Sequence, residues 1–573
     1  MKKLNYKTVG LSIISILSLT FSSVIADDDS GDCYAPYSEH IVQYADEHNP
    51  DNHIITIDYD NMQLLNIESV EGSTNHHADP MGTLSDANYM MLVAKGSYFT
   101  TVWDIKSDTF IKKINLPFRP RSSDAYNKKY NLVLLNSRDR PAAVLIDAKK
   151  LKIVGRAGFD IMCNYYEANP IRKNNLLYSA VENFDSQIKC YAPDFGGDQI
   201  SGHPLWLSDN EFIIIDRANR AIHVYKITKK DDLYSTQLVQ TIRTNTSMHQ
   251  MIAKDKNNPN NRVFFGMTEG NKNLNIAPRV YRFVLQNEKL ILTGITKFSK
   301  GKIEGMFGHN LYISPDKKYL YAPVAAHFNL GKNITADSER RRILKFFNKI
   351  KNRKKYSKAF RQYVEWKGIS YYQKIFREFK KQGEVFIIDT KSMKVKKVIE
   401  AGYGAGHVAF SKQKHLAIVT NHLDNFVTII DTKHQKFVKN IPLNFEREGI
   451  FNLTQSHMQH VSEDGEYYYN FWTDGGRFFR INLDTLTLDG SIYTGGVPIQ
   501  GNFYKKVNTT CDIAEPDSDD GFSELFEETP ELNDISNNMY ARGSSYHKKT
   551  TKKFRKRLRR LLKLLRKYHR RYD

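Results

Sequence analysis

Cysteine is scarce in this 573-residue chain, and the four present form neither CxxC nor CxxCH. That excludes covalently attached c-type haem, a thiol redox dipeptide and a zinc ribbon. No GxSxG elbow occurs, which removes the main sequence sign of a serine hydrolase. Past the N-terminus no stretch approaches the roughly 20 apolar residues that span a bilayer, and a mean hydropathy of -0.53 is too polar for a multi-span membrane protein. A shortage of aromatics would mark a disordered chain, but 33 Tyr and 32 Phe are present.

Acidic residues are outnumbered, giving a formal net charge of +21. Such an excess points to an acidic partner, yet it is carried by two short segments. Residues 340–381 hold 16 Lys/Arg against Glu365 and Glu378, and residues 548–573 hold 14 against Asp573. What remains is a mildly acidic body with two basic appendages.

The N-terminus reads as a signal peptide over residues 1–26. Lys2, Lys3 and Lys7 precede an apolar run from Val9 to Ile25, with short residues near Ala26 and acidic Asp27, Asp28 and Asp29 beyond. An uncleaved anchor is the alternative. The expected location is therefore periplasmic or secreted, where disulfides persist. We expect Cys33–Cys511 and Cys163–Cys190, one of three connectivities open to four cysteines.

Between residues 40 and 505 one pattern of about forty residues recurs. The clearest copy is GHNLYISPDKKYLYAPVAAH (308–327), resumed as GEVFIIDTKSMKVKKVIEAG (383–402). Others span 406–443 and 457–496, and earlier ones begin near His77, Arg119, Tyr165, His203 and His249. Strands of period two, rich in Val, Ile, Tyr and Phe and bounded by Asp/Gly/Lys turns, predict β-sheet throughout. Four strands per repeat of this length predict a β-propeller over residues 27–510, with seven or eight blades. The strands at 53–70 read as half a blade, completed by residues 495–506, so the ring closes by joining the chain's two ends.

Histidine is placed at or just before the first strand in six copies: His77, His203, His249, His309, His407 and His457, with His76 adjacent to His77. In a propeller that strand lines the central channel. Equivalent positions converge on one mouth, and neutral imidazoles there would bind a transition metal. Met248, Met306 and Met458 lie nearby in sequence, and thioether beside imidazole favours copper. Capping of turn backbone is the alternative role for these histidines.

These motifs resemble YVTN-type β-propeller repeats, most closely in ISPDKKYLYAP, VFIIDT, AIVTN and VTIIDT. NHHADPMGTLSDANYMMLVA (75–94) and GMFGHNLYISPDKKYLYAP (305–323) further resemble the propeller domain of nitrous-oxide reductase. There a His-His pair and single histidines from other blades hold a copper–sulfide cluster. The resemblance implies His76, His77, His203, His249, His309, His407 and His457 as ligands and copper as the metal, with haem the less favoured cofactor. The sequence departs from that family in two respects: the repeat beginning RPRSSDAY (119–126) lacks the histidine, and no second copper domain follows. Redox chemistry would draw on a separate electron-donor protein.

Two segments stand outside the repeat. Residues 333–382 interrupt one copy and read as a basic helical insertion. Residues 511–546 form an acidic linker, followed over 547–573 by a basic amphipathic helix. Residues 552–572 would suit an anionic membrane or lipopolysaccharide surface, and nucleic acid is not expected after export. The competing functional expectation is a non-enzymatic scaffold that docks through these helices.

Overall fold

The structure is a computed structural model. It describes residues 40–505 except 47–51, 72–74, 83–86, 162–199, 257, 259, 271–276, 301–302, 309, 330–381, 423, 446–456, 474–475 and 495–497. The chain divides into two units, Met1–Asp512 and Ile513–Asp573, and every described residue belongs to the first. The signal peptide, the four cysteines, the helical insertion, the acidic linker and the basic tail lie outside the described residues.

All regular elements among the described residues are β-strands. They form antiparallel sheets, mostly four-stranded, each a blade. One sheet has eight strands and comprises two blades, since its halves meet only through a single parallel bridge between the outer strands, Gly155 to Tyr234. Counting these separately gives eight blades among the described residues, the larger of the two numbers the sequence allowed.

Blade 1 consists of Gln63–Val70, Asn52–Asp58 and His40–Asp46, with Pro498–Lys505 innermost. The first and last strands pair from His40 with Lys505 to Asp46 with Pro498, which is the closure expected from sequence. Blades 2 to 5 begin with the inner strands Asn75–Pro80, Pro120–Asn127, Leu205–Trp206 and Met248–Ala253. Blades 7 and 8 begin with Ala405–Ser411 and Gln459–Val461. In blade 6 the inner position is shared by Ile303–Gly308 and Tyr312–Ile313, both paired to the long second strand Tyr319–Asn329. The copy expected from Tyr165 falls within 162–199. Blades 3 and 4 already share a core across that interval.

The recurring Asp at the end of the third strand has a local cause. Asp104, Asp147, Asp389 and Asp431 turn a carboxylate oxygen back to accept backbone N–H groups two or three residues on. Asn482 does the same with its amide oxygen. Such Asx turns satisfy donors the ladder leaves open. Four residues after each, at Asp108, Leu151, Met393, Gln435 and Leu486, the backbone is left-handed with φ near 50°. The same turn geometry thus closes five outer hairpins, whatever side chain occupies its strained position.

Cores lie between blades. Tyr321, Val385 and Ile387 of blade 6 pack on Ala405, Val408 and Ala417 of blade 7. Ile55, Ile57 and Phe503 of blade 1 pack on Tyr469, Phe471 and Phe478 of blade 8. Ile54 and Tyr504 of blade 1 pack on Met90, Leu92 and Trp103 of blade 2. Blades 2 and 3 are tied by a polar contact: the Ser123 amide and hydroxyl both donate to Asp79 Oδ2 at 2.9 Å. Because each blade buries its faces only against its neighbours, the ring is stable as a whole.

Candidate functional site

The start of an inner strand and the end of its antiparallel second strand lie at the same mouth of a propeller. Side chains there come from two repeating positions. The first directly follows the second strand: Lys95, Arg138, Arg217, Glu269, His422 and Thr473 in blades 2, 3, 4, 5, 7 and 8. The second is a register shift near the start of the inner strand, which falls at His76, Arg121, His249 and Gly406 in blades 2, 3, 5 and 7. A bulge re-aims the residue it carries. Arg121 thus holds the place where blade 5 has His249, and so explains the repeat that lacks a histidine.

Three imidazoles meet between blades 7 and 8. His407 lies on the inner strand of blade 7, His422 follows Leu416–Asn421, and His457 precedes the inner strand of blade 8. One ring nitrogen from each lies within 4.8 Å of the others. Ring centroids are 5.1 Å apart for His407–His422, 4.8 Å for His407–His457 and 5.0 Å for His422–His457. Among the described residues this is the one cluster of three or more His, Cys, Asp or Glu able to hold a metal. Nitrogens around a tetrahedral ion at ~2.1 Å stand ~3.4 Å apart, so closure on a metal needs movements of about an ångström, within rotamer adjustment.

Blade 6 supplies the surroundings. The Tyr312 hydroxyl is hydrogen-bonded to His407 Nδ1. Asn310 Nδ2 lies 3.3 Å from His407 Nδ1 and 3.4 Å from Nε2. Burial pushes the Tyr312 phenol far above its ordinary range, so it stays neutral. Asn310 Oδ1 is buried with no hydrogen-bond partner among the described residues, an acceptor beside the three rings. The set fits a late first-row transition metal: three nitrogen donors and a partner orienting one ring.

The histidines predicted as ligands fall into three groups. His407 and His457 are brought together, and His422 joins them. His203 and His249 stand side by side, centroids 5.0 Å apart, each turned to a carboxylate: His203 Nδ1 is 2.9 Å from Asp124 and His249 Nδ1 is 3.4 Å from Glu269. His76 and His77 lie on Asn75–Pro80, but their side chains, and the whole of His309, are outside the described residues. The thioether argument for copper is not met at the described methionines. Met458 packs with Tyr59 and Tyr469 in the core between blades 8 and 1, and Met248 with Phe264 and Tyr281 between blades 4 and 5.

No family model matches the chain, and no curated protein matches it. Solved structures do resemble it. The dihydro-haem d1 dehydrogenase NirN, in complex with DHE, is 10% identical over 82% of this chain and 76% of its own, with a TM-score of 0.49. Apo AztD from Citrobacter koseri is 8% identical over 82% and 99%, at 0.43. BamB from Moraxella catarrhalis is 10% identical over 75% and 93%, at 0.41. At such low identity and TM-score, the propeller assignment rests on the sheet topology.

Proposed function

We propose that the protein is an exported β-propeller that binds a transition metal through His407, His422 and His457, with copper(II) the favoured ion. The convergence of three imidazole nitrogens within 4.8 Å carries this reading. Copper is favoured because affinity of nitrogen sites for divalent first-row ions peaks there. A bound ion would supply a Lewis-acidic centre and, if copper, a one-electron couple served by a separate donor protein. His407 would ligate through Nε2 in the tautomer whose Nδ1–H donates to the Tyr312 oxygen, a common way of fixing a metal-bound histidine. Export rests on the N-terminal sequence.

The test is metal titration of the purified full chain after chelator treatment, followed by elemental analysis. One copper or zinc per chain in the wild type, lost in the His422→Ala/His457→Ala double variant, supports the proposal. Absence of stoichiometric metal, or equal loading of the double variant, overturns it.

A further inference from the structure

The outer strands of blades 5, 6 and 7, Lys289–Lys297, Val395–Glu400 and Lys436–Pro442, follow one another around the wall of the wheel. Blades 5 and 6 are joined there by the Thr296 hydroxyl, which donates to Met393 O, and by the Lys300 ammonium, which donates to Lys396 O. The outer strands of blades 6 and 7 touch directly. Their hairpins read QNEKLILTGITKFSK (286–300), DTKSMKVKKVIE (389–400) and DTKHQKFVKNIP (431–442), with ten lysines and no arginine. All ten are exposed, and none is ion-paired to a carboxylate among the described residues.

The acidic residues of these hairpins are largely committed elsewhere. Glu288 pairs with Lys226, Asp431 with His434, and Asp389 with the amides of its own turn. Among the lysines stand exposed Ile291, Leu292, Ile295, Phe437 and Val438, with Phe437 48% accessible. The adjoining arc is opposite in sign: the outer hairpins of blades 8 and 1 (482–493 and 58–70) hold five Asp/Glu and no Lys or Arg. Scattered surface apolar residues are ordinary, but here they alternate with cations that no carboxylate neutralises. Lysine is depleted at protein interfaces, where arginine and aromatic residues supply the anchors. Against a bilayer, ammonium groups are drawn to anionic headgroups while apolar side chains enter the interfacial layer.

We propose that the outer wall of blades 5 to 7 docks the wheel edge-on to an anionic phospholipid surface. The lysines would meet headgroup phosphates, and Ile291, Ile295 and Phe437 would lie at the boundary with the acyl chains. The acidic arc of blades 8 and 1 would be repelled, which sets the rotation of the wheel on the surface. The imidazole cluster belongs to a mouth of the wheel rather than its wall, so edge-on docking leaves it clear of lipid.

Co-sedimentation of the full chain with phosphatidylglycerol/phosphatidylcholine vesicles, against vesicles of phosphatidylcholine alone, tests the surface. Binding to the anionic vesicles that weakens as salt is raised is expected. Lys396→Glu/Lys397→Glu/Lys436→Glu/Lys439→Glu should weaken it about tenfold or more. The same number of reversals on blades 2 and 3, at Lys106, Lys112, Lys149 and Lys152, should change it little. Both variants keep residues 547–573, so binding through that segment would survive the first reversal, and unchanged binding overturns the wall. An equal fall in both variants reads net charge alone and also overturns it. Ile295→Ser/Phe437→Ser, which alters no charge, should weaken vesicle binding several-fold and leave binding to polyglutamate as it was. Binding to polyglutamate without binding to vesicles would assign the wall to an acidic protein, and self-association lost in the first variant would assign it to a second copy; either overturns the membrane reading. The His422→Ala/His457→Ala variant should bind vesicles as the wild type does, so loss of the metal site and loss of this surface are read separately.

Discussion

Gly406 makes room for His422: a β-carbon placed on Gly406 would run into the His422 ring at Cδ2 and Nε2. Other blades carry His76, Arg121 or His249 at the equivalent bulge. Blade 7 gives up a side chain there, and the imidazole from the end of its second strand takes the space. The Gly406 backbone is not left-handed, so Ala is disfavoured there only by the ring. Gly406→Ala should therefore push His422 out of the cluster and weaken metal binding by about tenfold or more, with little change in folding stability. Chelator competition and urea unfolding on the same preparation would check both halves.

Tyr312 touches His407 and belongs to a different blade. Tyr312→Phe keeps the ring and removes the group that orients the imidazole. Outer-shell losses of this kind cost roughly 10–100-fold in metal affinity, and that is the expected fall. An affinity equal to the wild type would detach Tyr312 from the site.

Glu384 stands opposite Glu400 in the outer hairpin of blade 6. Burial, then the Glu400 charge, raises the Glu384 carboxyl from 4.5 to about 8. The folded protein thus retains a proton that the unfolded chain releases. The associated stability is complete below pH 4.5 and is lost as pH rises through about 8. Its slope is at most about 1.4 kcal/mol per pH unit, the value for one proton. Urea midpoints measured across this range should fall with pH in the wild type and flatten in Glu384→Gln.

Ring closure depends on Tyr504, buried between blades 1 and 2 against Ile54, Leu92 and Trp103. Tyr504→Ala should cost about 3–5 kcal/mol, as for other large aromatic truncations in a core. Phe110 is exposed on the outer strand of blade 2, and Phe110→Ala should stay within about 0.5 kcal/mol. Equal effects at the two positions would mean that the closing strand contributes little.

The propeller was legible because its signals are local. Alternating strands, Ser-Pro-Asp-Lys turns and the Asp closing several third strands all act within a few residues. Ser314 and Ser462, for example, each bond an Asp two residues later and receive the amide five residues on. The site was legible only in part. His407 and His457 are marked by standing at inner-strand starts, but His422 follows a second strand. Its entry depends on the bulge at Gly406, a register shift that period-two patterning does not reveal. The same applies to Arg121, which read as a missing histidine. Met458 neighbours His457 in sequence, yet it packs in the core between blades 8 and 1.

The innermost strand of blade 1 is made of residues 498–505. During synthesis the chain can stack blades 2 to 8 but keeps an open seam until residues 498–505 have left the ribosome. Assembly of the finished wheel must then be a late, whole-chain event. A chain lacking residues 498–505 would therefore leave blade 1 without its innermost strand and the wheel unlocked.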